Sequence, residues 1–319
     1  MTRVGIVAYG TTPFTKEDQK IESTLLKSTK NLFEKNPEID KKDIDAVLVS
    51  TNNNSKYLSP ILSEMVGIQP KIAHSIESLC NSGTNSIVSA YSYIASGLAD
   101  MVLVSVKNHK QAKENPNALS NKTYSIQDVM NSKKLTEDLR LLDCSRPCTG
   151  SATILLASEE IVKKNTDTPV WVSGIGQKTT SAGFTKNLSL SSMESTKLAG
   201  QAALKMSKHD IKDINVAEIH DAFSVCEPMA LESLGFSDFG EGINIIKELH
   251  ETNNFKINPR GGLIGTGHPL GATGISQTIE IVQQLQRHAD NRQVDNVNVG
   301  LVHNMSAAAT SSTVLVLER

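Results

Sequence analysis

Three residues have the types and settings to do chemistry together: Cys80 in ESLCNSGTNSI, His220 in EIHDAF and His268 in GGLIGTGHPLGATG. A thiol and two imidazoles on strand-to-helix loops make a nucleophile with general acid/base and oxyanion partners. Cys80 lies just before a predicted helix, whose free N–H groups and roughly half a positive charge favour thiolate over thiol. His220 closes a predicted strand, the end at which α/β sheets place ligands. Asp221 then reads as the cap of a following helix.

The His268 segment, Gly261 to Gly274, holds six glycines around one imidazole. Glycine costs roughly 0.5–1 kcal/mol in an ordinary element, so the segment needs unusual dihedrals or close backbone approach. It is not a nucleotide loop. Gly265 and Gly267 give G-x-G, but Leu270 stands where a dinucleotide fingerprint places its third glycine, and no P-loop pattern occurs. With Pro269 behind it, His268 is expected to be held rigidly on an open turn.

These loops need a scaffold. Apolar, β-branched runs predict strands near 3–9, 45–50, 101–106, 151–157, 169–175, 215–219, 297–303 and 312–318. Helical patterns fall near 22–35, 83–97, 194–206, 222–234 and 273–288. The alternation implies a largely parallel α/β architecture. The order of elements also repeats, which implies an internal duplication of roughly 160 residues. The halves are then 1–160 and 161–319, and residues near 80 and near 268 fall at equivalent places. The polar, lysine-rich segment 107–143 interrupts the first half. It reads either as a solvated excursion or as a substrate-covering loop.

Composition removes whole classes of function. The 319 residues are 39 % hydrophobic, 21 % charged and 4 % aromatic, with a net charge of −2. That balance argues against nucleic acid as a partner. No apolar run approaches the roughly 20 residues that span a bilayer. The opening MTRVGIVAYG is too strand-like for a signal peptide, so a cytoplasmic location is expected. Four cysteines, Cys80, Cys144, Cys148 and Cys226, are too scattered for a disulfide framework. Cys144 and Cys148 lack a second ligand pair for zinc and read as half-buried structural thiols, and no metal site is expected.

The three loops, in this order and spacing, resemble the thiolase superfamily. ESLCNSGTNSI is similar to its nucleophile loop and GGLIGTGHPLGATG to its GHP loop; EIHDAF with ESLGF is similar to the variant of the sterol-carrier-protein-type and archaeal acetoacetyl-CoA thiolases. LRLLDCSRPCTGSATILLASEE extends the likeness along nearly the whole chain. The resemblance implies an internally duplicated five-layer α-β-α-β-α fold and a tight homodimer or dimer of dimers. It implies that Cys80 takes an acyl group from acyl-CoA as a thioester and that His268 activates Cys80 and polarises a thioester carbonyl. His220 contributes to one oxyanion hole. The backbone N–H of Cys80 and one from the C-terminal loop form the other, with Ala307, Ala308, Gly267 and Ala222 around the pocket. Coenzyme A and acetyl-CoA enter as substrates, with no covalently bound cofactor. The lysines of 107–143 are expected at the CoA phosphates. A zinc/OB-fold protein and 3-hydroxy-3-methylglutaryl-CoA synthase are the partners implied.

The chain departs from the family pattern in four places. No second acid/base cysteine is found: Ala222 occupies one of its positions, and the tail LVHNMSAAATSSTVLVLER lacks the other. Cys226, a helical turn after Ala222, is the candidate displaced base. Ser306, Ala307 and Ala309 replace tail glycines, Thr149 replaces an aspartate, and segment 107–143 is short for a covering domain. The leading expectation is an acetyl-CoA C-acetyltransferase-like enzyme of lipid metabolism acting on acetoacetyl-CoA or a short homologue. The alternative is a degenerate, non-catalytic homologue that binds acyl-CoA or acts as a scaffold subunit.

Overall fold

A computed structural model describes residues 2–13, 20–51, 55–107, 124–182, 191–252, 256–268 and 270–319. The first half contains β1 (Val4–Thr11), α1 (Ile21–Lys35), β2 (Ala46–Ser50), α2 (Leu58–Val66), β3 (Ile72–Ile76), α3 (Ser82–Ala95), β4 (Met101–Lys107), α4 (Ile126–Met130) and β5 (Ser151–Ser158). After α5 (Glu159–Asn165) come β6 (Val170–Thr179), α6 (Glu194–Ser207), β7 (Val216–Glu218), α7 (Cys226–Leu234) and α8 (Gly242–Glu251). The chain ends with α9 (Gly262–Thr266), α10 (Thr273–Gln286), β8 (Val299–Ser306) and β9 (Ser311–Glu318).

The strands follow the order β3-β2-β4-β5-β1-β6-β9-β8-β7, so 2-4-5-1 in the first half is answered by 7-8-9-6 in the second. The halves meet where Gly5 pairs with Trp171 and Ile6 with Val170. Three apolar clusters separate the layers. One joins α1 and α2 to the first half-sheet, and another joins α6 and α7 to the second. The third holds Ile87, Ala90 and Ile94 of α3 with Ile275, Ile279 and Val282 of α10, packed against strands of both halves. This is the five-layer arrangement, with α3 and α10 as the central layer.

The duplication is legible residue by residue. Gly10 pairs with Thr153, and Gly176 pairs with Val314. A Cβ on Gly10 would strike the backbone of Ser28 and Leu32 on α1; one on Gly176 would strike Ala199 and Ala203 on α6. Thr153 and Val314 face Ser105 and His303, which makes these two equivalent. The same registers align Leu48 with Glu218, and therefore Ser50 with His220. At the central layer a Cβ on Gly83 would lie 3.1 Å from the Ile275 nitrogen, and one on Gly274 would lie 2.8 Å from the Thr84 nitrogen. That reciprocity aligns Cys80 with Gly271. Leu79 and Leu270 are both left-handed, with φ of 51° and 24°.

The sheet differs from the expected parallel one. Among the described strands only β2–β3, β2–β4 and β7–β8 run parallel, and the other five neighbouring pairs are antiparallel. The reason is connection. No helix crosses between β8 and β9, which are joined by the turn Ala307–Thr310. The helix expected from residue 222 begins only at Cys226, because the preceding residues are engaged elsewhere. Residues 108–123 of the lysine-rich segment, with their expected contact to CoA phosphates, lie outside the described residues.

Candidate active site

Cys80 is the middle residue of a single turn, Leu79–Asn81, that leads into α3. Side chains lock that turn. Glu77 Oε1 accepts the Leu79 N–H at 2.7 Å, and Ser82 Oγ accepts the Ser78 N–H at 2.7 Å. The left-handed Leu79 stores roughly 1–2 kcal/mol of backbone strain immediately before the nucleophile.

The glycine segment brings His268 to this turn. Gly262, at φ 59°, leaves room for the Asp221 carboxylate, which a Cβ there would overlap. Asp221 Oδ1 accepts the Leu263 N–H at 2.5 Å and Oδ2 the Ile264 N–H at 3.3 Å. Asp221 therefore caps α9, across the site, and not α7 as the sequence suggested. Gly267 turns the chain at φ 93° directly before His268. The His268 N–H donates to the Arg146 carbonyl at 2.9 Å. The same strip of chain pairs Cys144 with Phe223, so residues 143–147 tie the His220 loop to the His268 loop. Gly262 is thus required by a side chain of its own half, whereas Gly83 and Gly274 are required where the two halves approach backbone to backbone.

Cys80 Sγ and His268 Nε2 are 3.2 Å apart. His268 Nδ1 is 3.0 Å from Thr273 Oγ1, so a proton on Nδ1 leaves Nε2 as acceptor for the thiol. His220 meets His268 edge-on, with ring centroids 4.9 Å apart and planes at 89°. Behind it Asn304 Nδ2 lies 2.9 Å from His220 Nδ1 and 3.0 Å from Gln277 Oε1. The pocket wall includes the C-terminal turn, whose Ala307 backbone N–H is near enough to the Cys80 sulfur to favour its thiolate. Ala308 is exposed on that turn, and Ala222 is buried with its carbonyl accepting the Ser145 N–H at 2.8 Å.

Burial dominates the electrostatics. It pushes the Cys80 thiol up to about 11, against the opposing pull of the Cys80 and Ala307 backbone N–H groups. Desolvation thus opposes the preference for thiolate expected at a helix N-terminus, and the backbone N–H groups favour it. Burial, and secondarily the Arg260 guanidinium, takes His268 down to about 3. His220 is held well below the ordinary imidazole value by burial, then by His268, His303 and Arg260. Arg260 is itself buried, with Nε 2.6 Å from Glu218 Oε2 and Nη1 2.9 Å from Ser276 Oγ. Cys80, His220 and His268 each present one ligating atom within 4.8 Å of the others.

Of the residues singled out in the sequence, Cys80, His220, His268, Gly267 and Ala307 converge. Cys226 does not join them. Its thiol, pushed up to about 11 by burial, packs in the outer cluster with Ala230 and Ile257. Cys144 and Cys148 are partly buried thiols directed at the carbonyls of Arg140 and Arg146. Asn304, Gln277, Thr273 and Arg260 escaped sequence reading. The pair His303–Asn304, polar inside the wholly buried β8, was the available signal.

Comparisons with known proteins bear on the family and the fold. Residues 4–168 match the family model "Thiolase, N-terminal domain" and residues 176–319 match "Thiolase C-terminal domain-like". The chain is 36 % identical over 221 residues to an acetyl-CoA acetyltransferase of Methanothermobacter thermautotrophicus, a match covering 69 % of this chain and 58 % of the relative. It is 36 % identical over 206 residues to sterol carrier protein 2 of Bos taurus, covering 62 % of this chain and 38 % of that one. These matches thus span well under two thirds of either relative. An acetyl-CoA acetyltransferase of Methanocaldococcus jannaschii aligns at 26 % identity over 99 % of this chain and 98 % of its own. Among solved structures, an "Ltp2-ChsH2(DUF35) aldolase" superposes with a TM-score of 0.86 at 16 % identity, covering 99 % of this chain and 97 % of that one. Human mitochondrial 3-ketoacyl-CoA thiolase in complex with CoA gives 0.77 at 16 % identity, covering 99 % and 98 %. At that identity the structures speak for the fold, while the two domain matches run almost end to end: the chain belongs to the thiolase family.

Proposed function

We propose that this chain is a CoA-dependent acyltransferase of the acetyl-CoA C-acetyltransferase kind, working through a Cys80 thioester. The observation that carries the reading is the 3.2 Å contact between Cys80 Sγ and His268 Nε2, beneath the Ala307 N–H. Relatives named acetyl-CoA acetyltransferase support it, and the superposed thiolase binds CoA.

In the thiolytic direction, Cys80 Sγ attacks the 3-keto carbonyl of acetoacetyl-CoA while His268 Nε2 takes the thiol proton. The tetrahedral oxyanion rests on backbone N–H groups of Cys80 and the 307–308 turn. Its collapse breaks the carbon–carbon bond and leaves acetyl-Cys80 and the enolate of acetyl-CoA. The enolate oxygen is held by His220, and its carbon receives the proton from His268. CoA then attacks acetyl-Cys80, giving its thiol proton to His268, which returns it to the departing Cys80 sulfur. Each proton is placed with one imidazole base, so the cycle runs without a second acid/base cysteine at Ala222 or from Cys226.

A homodimer and a protein partner belong to the same reading; the aldolase neighbour's name pairs a thiolase-fold chain with a DUF35 protein. No helix among the described residues is long and apolar enough to cross a membrane. The second reading, an acyl-CoA-binding scaffold without turnover, is favoured by Ala222 standing where a second acid/base is expected. Thiolysis of acetoacetyl-CoA, followed by loss of its enolate absorbance, decides between them. Turnover abolished by Cys80→Ala supports the enzyme; no CoA-dependent turnover in the wild type supports the scaffold.

A further inference from the structure

The two nitrogens of His220 are not equivalent. Nδ1 faces Nδ2 of Asn304 at 2.9 Å, and a primary amide nitrogen has only protons to offer. The second proton of the same NH₂ group serves Gln277 Oε1 at 3.0 Å. One amide NH₂ group thus faces two atoms, His220 Nδ1 and the Gln277 carbonyl oxygen. Asn304 Oδ1 accepts from the Thr84 hydroxyl at 3.4 Å, which turns the NH₂ group toward His220 and Gln277. Asn304 is fully buried on β8, in register with Thr313 of β9. The backbone N–H of His220 points at Nδ1 of buried His303 at 3.5 Å, and His303 Nε2 sits 3.0 Å from Thr196 Oγ1. The imidazole is therefore fixed from its main chain and from its far edge.

A neutral imidazole with its lone pair on Nδ1 carries its proton on Nε2. We propose that Asn304 is a positioning residue that fixes His220 in the Nε2–H tautomer, making His220 a hydrogen-bond donor and leaving His268 as the imidazole that supplies a lone pair to the reaction. The proposal rests on the acyltransferase reading for its catalytic consequence, but the tautomer itself does not depend on turnover.

It also bears on metals. The Cys80, His220 and His268 ligating atoms are close enough for one ion. A metal on His220 Nε2 requires Nδ1–H, and metal-bound histidines donate that proton to an acceptor. Asn304 presents a donor there instead, so the wild-type site resists zinc at His220. Asn304→Asp supplies the missing acceptor in nearly the same volume.

The test is long-range ¹H–¹⁵N NMR of the whole protein labelled at histidine, with His220→Gln assigning the resonance. The expected wild-type pattern is protonated Nε2 and bare Nδ1; in Asn304→Asp, Nδ1 becomes protonated. Zinc titration is expected to show Asn304→Asp binding at least about tenfold tighter than wild type. If thiolysis is present, Asn304→Asp is expected to lose about 10²–10³-fold in kcat, as for removal of an oxyanion donor, with far less change in KM. A wild-type Nδ1–H pattern overturns the proposal, as does an Asn304→Asp protein whose His220 keeps Nε2–H. If Asn304→Asp does not fold, the wild-type spectrum alone decides. Absence of turnover would refute the enzyme reading while the spectra and zinc titration still report the tautomer.

Discussion

Cys80 and His268 touch, yet burial drives their proton affinities apart, to about 11 and about 3. Moving the thiol proton to the imidazole across that gap costs about 11 kcal/mol, at about 1.4 kcal/mol per pH unit. Attraction between the resulting charges at 3.2 Å offsets about 5 kcal/mol at an effective dielectric of about 20. The neutral pair wins by about 6 kcal/mol, or about 10⁴-fold. Cys80 should therefore behave as a buried thiol and not as half of a thiolate–imidazolium pair. The assay is alkylation by iodoacetamide from pH 5 to 10, followed at the Cys80 peptide so that Cys144 and Cys148 do not contribute. The rate should climb about tenfold per pH unit through neutrality, because only thiolate reacts. His268→Gln should leave the shape of that curve unchanged. A plateau between pH 5 and 8 that disappears in His268→Gln would refute the reasoning. It would mean that the ion pair exists at rest and that proton transfer need not accompany attack on the substrate.

Three further outcomes follow from packing. Gly274→Ala places a Cβ 2.5 Å from Thr84 Cγ2, so urea unfolding should show a loss of about 1–3 kcal/mol. Parting the two loops by about 1 Å should also slow Cys80 acylation about 10²-fold in single-turnover measurements. Ala307, exposed and at φ 52°, is a left-handed alanine, and Ala307→Gly should raise stability by about 0.5–1 kcal/mol, read as a higher unfolding midpoint. Cys226→Ala should cost about 1 kcal/mol in stability and leave the acylation rate of Cys80 intact; a loss of acylation would return Cys226 to the site.

Much of the site was legible because its chemistry depends on residue type. Cys80 and His268 are reactive side chains set beside glycines that close approach explains, His220 stands at the end of a strand, and Gly83, Gly262 and Gly274 each meet a neighbour where a Cβ would not fit. Element order carried the duplication for the same reason, since it survives when side chains diverge. Strand direction was not legible. Whether β5 runs against β4 depends on how residues 108–150 return to the sheet, and that is not a property of either strand. Asp221 was legible as a cap but not as the cap of α9, forty residues away in sequence but adjacent in space. The short β3 and the helices α2, α4, α5, α8 and α9 were missed. IAHSI alternates too weakly, with its edge position leaving it half-exposed. Asn304 was hidden because amide side chains are common, and its importance comes from what Nδ1 of His220 faces.

The most direct measurement is intact mass of the protein after incubation with acetyl-CoA, beside Cys80→Ala. One acetyl group on the wild type and none on Cys80→Ala is the result expected of a chain that forms a Cys80 thioester. A wild type that stays unmodified with acetyl-CoA and with longer acyl-CoAs would contradict it and leave a thiolase-fold binding protein.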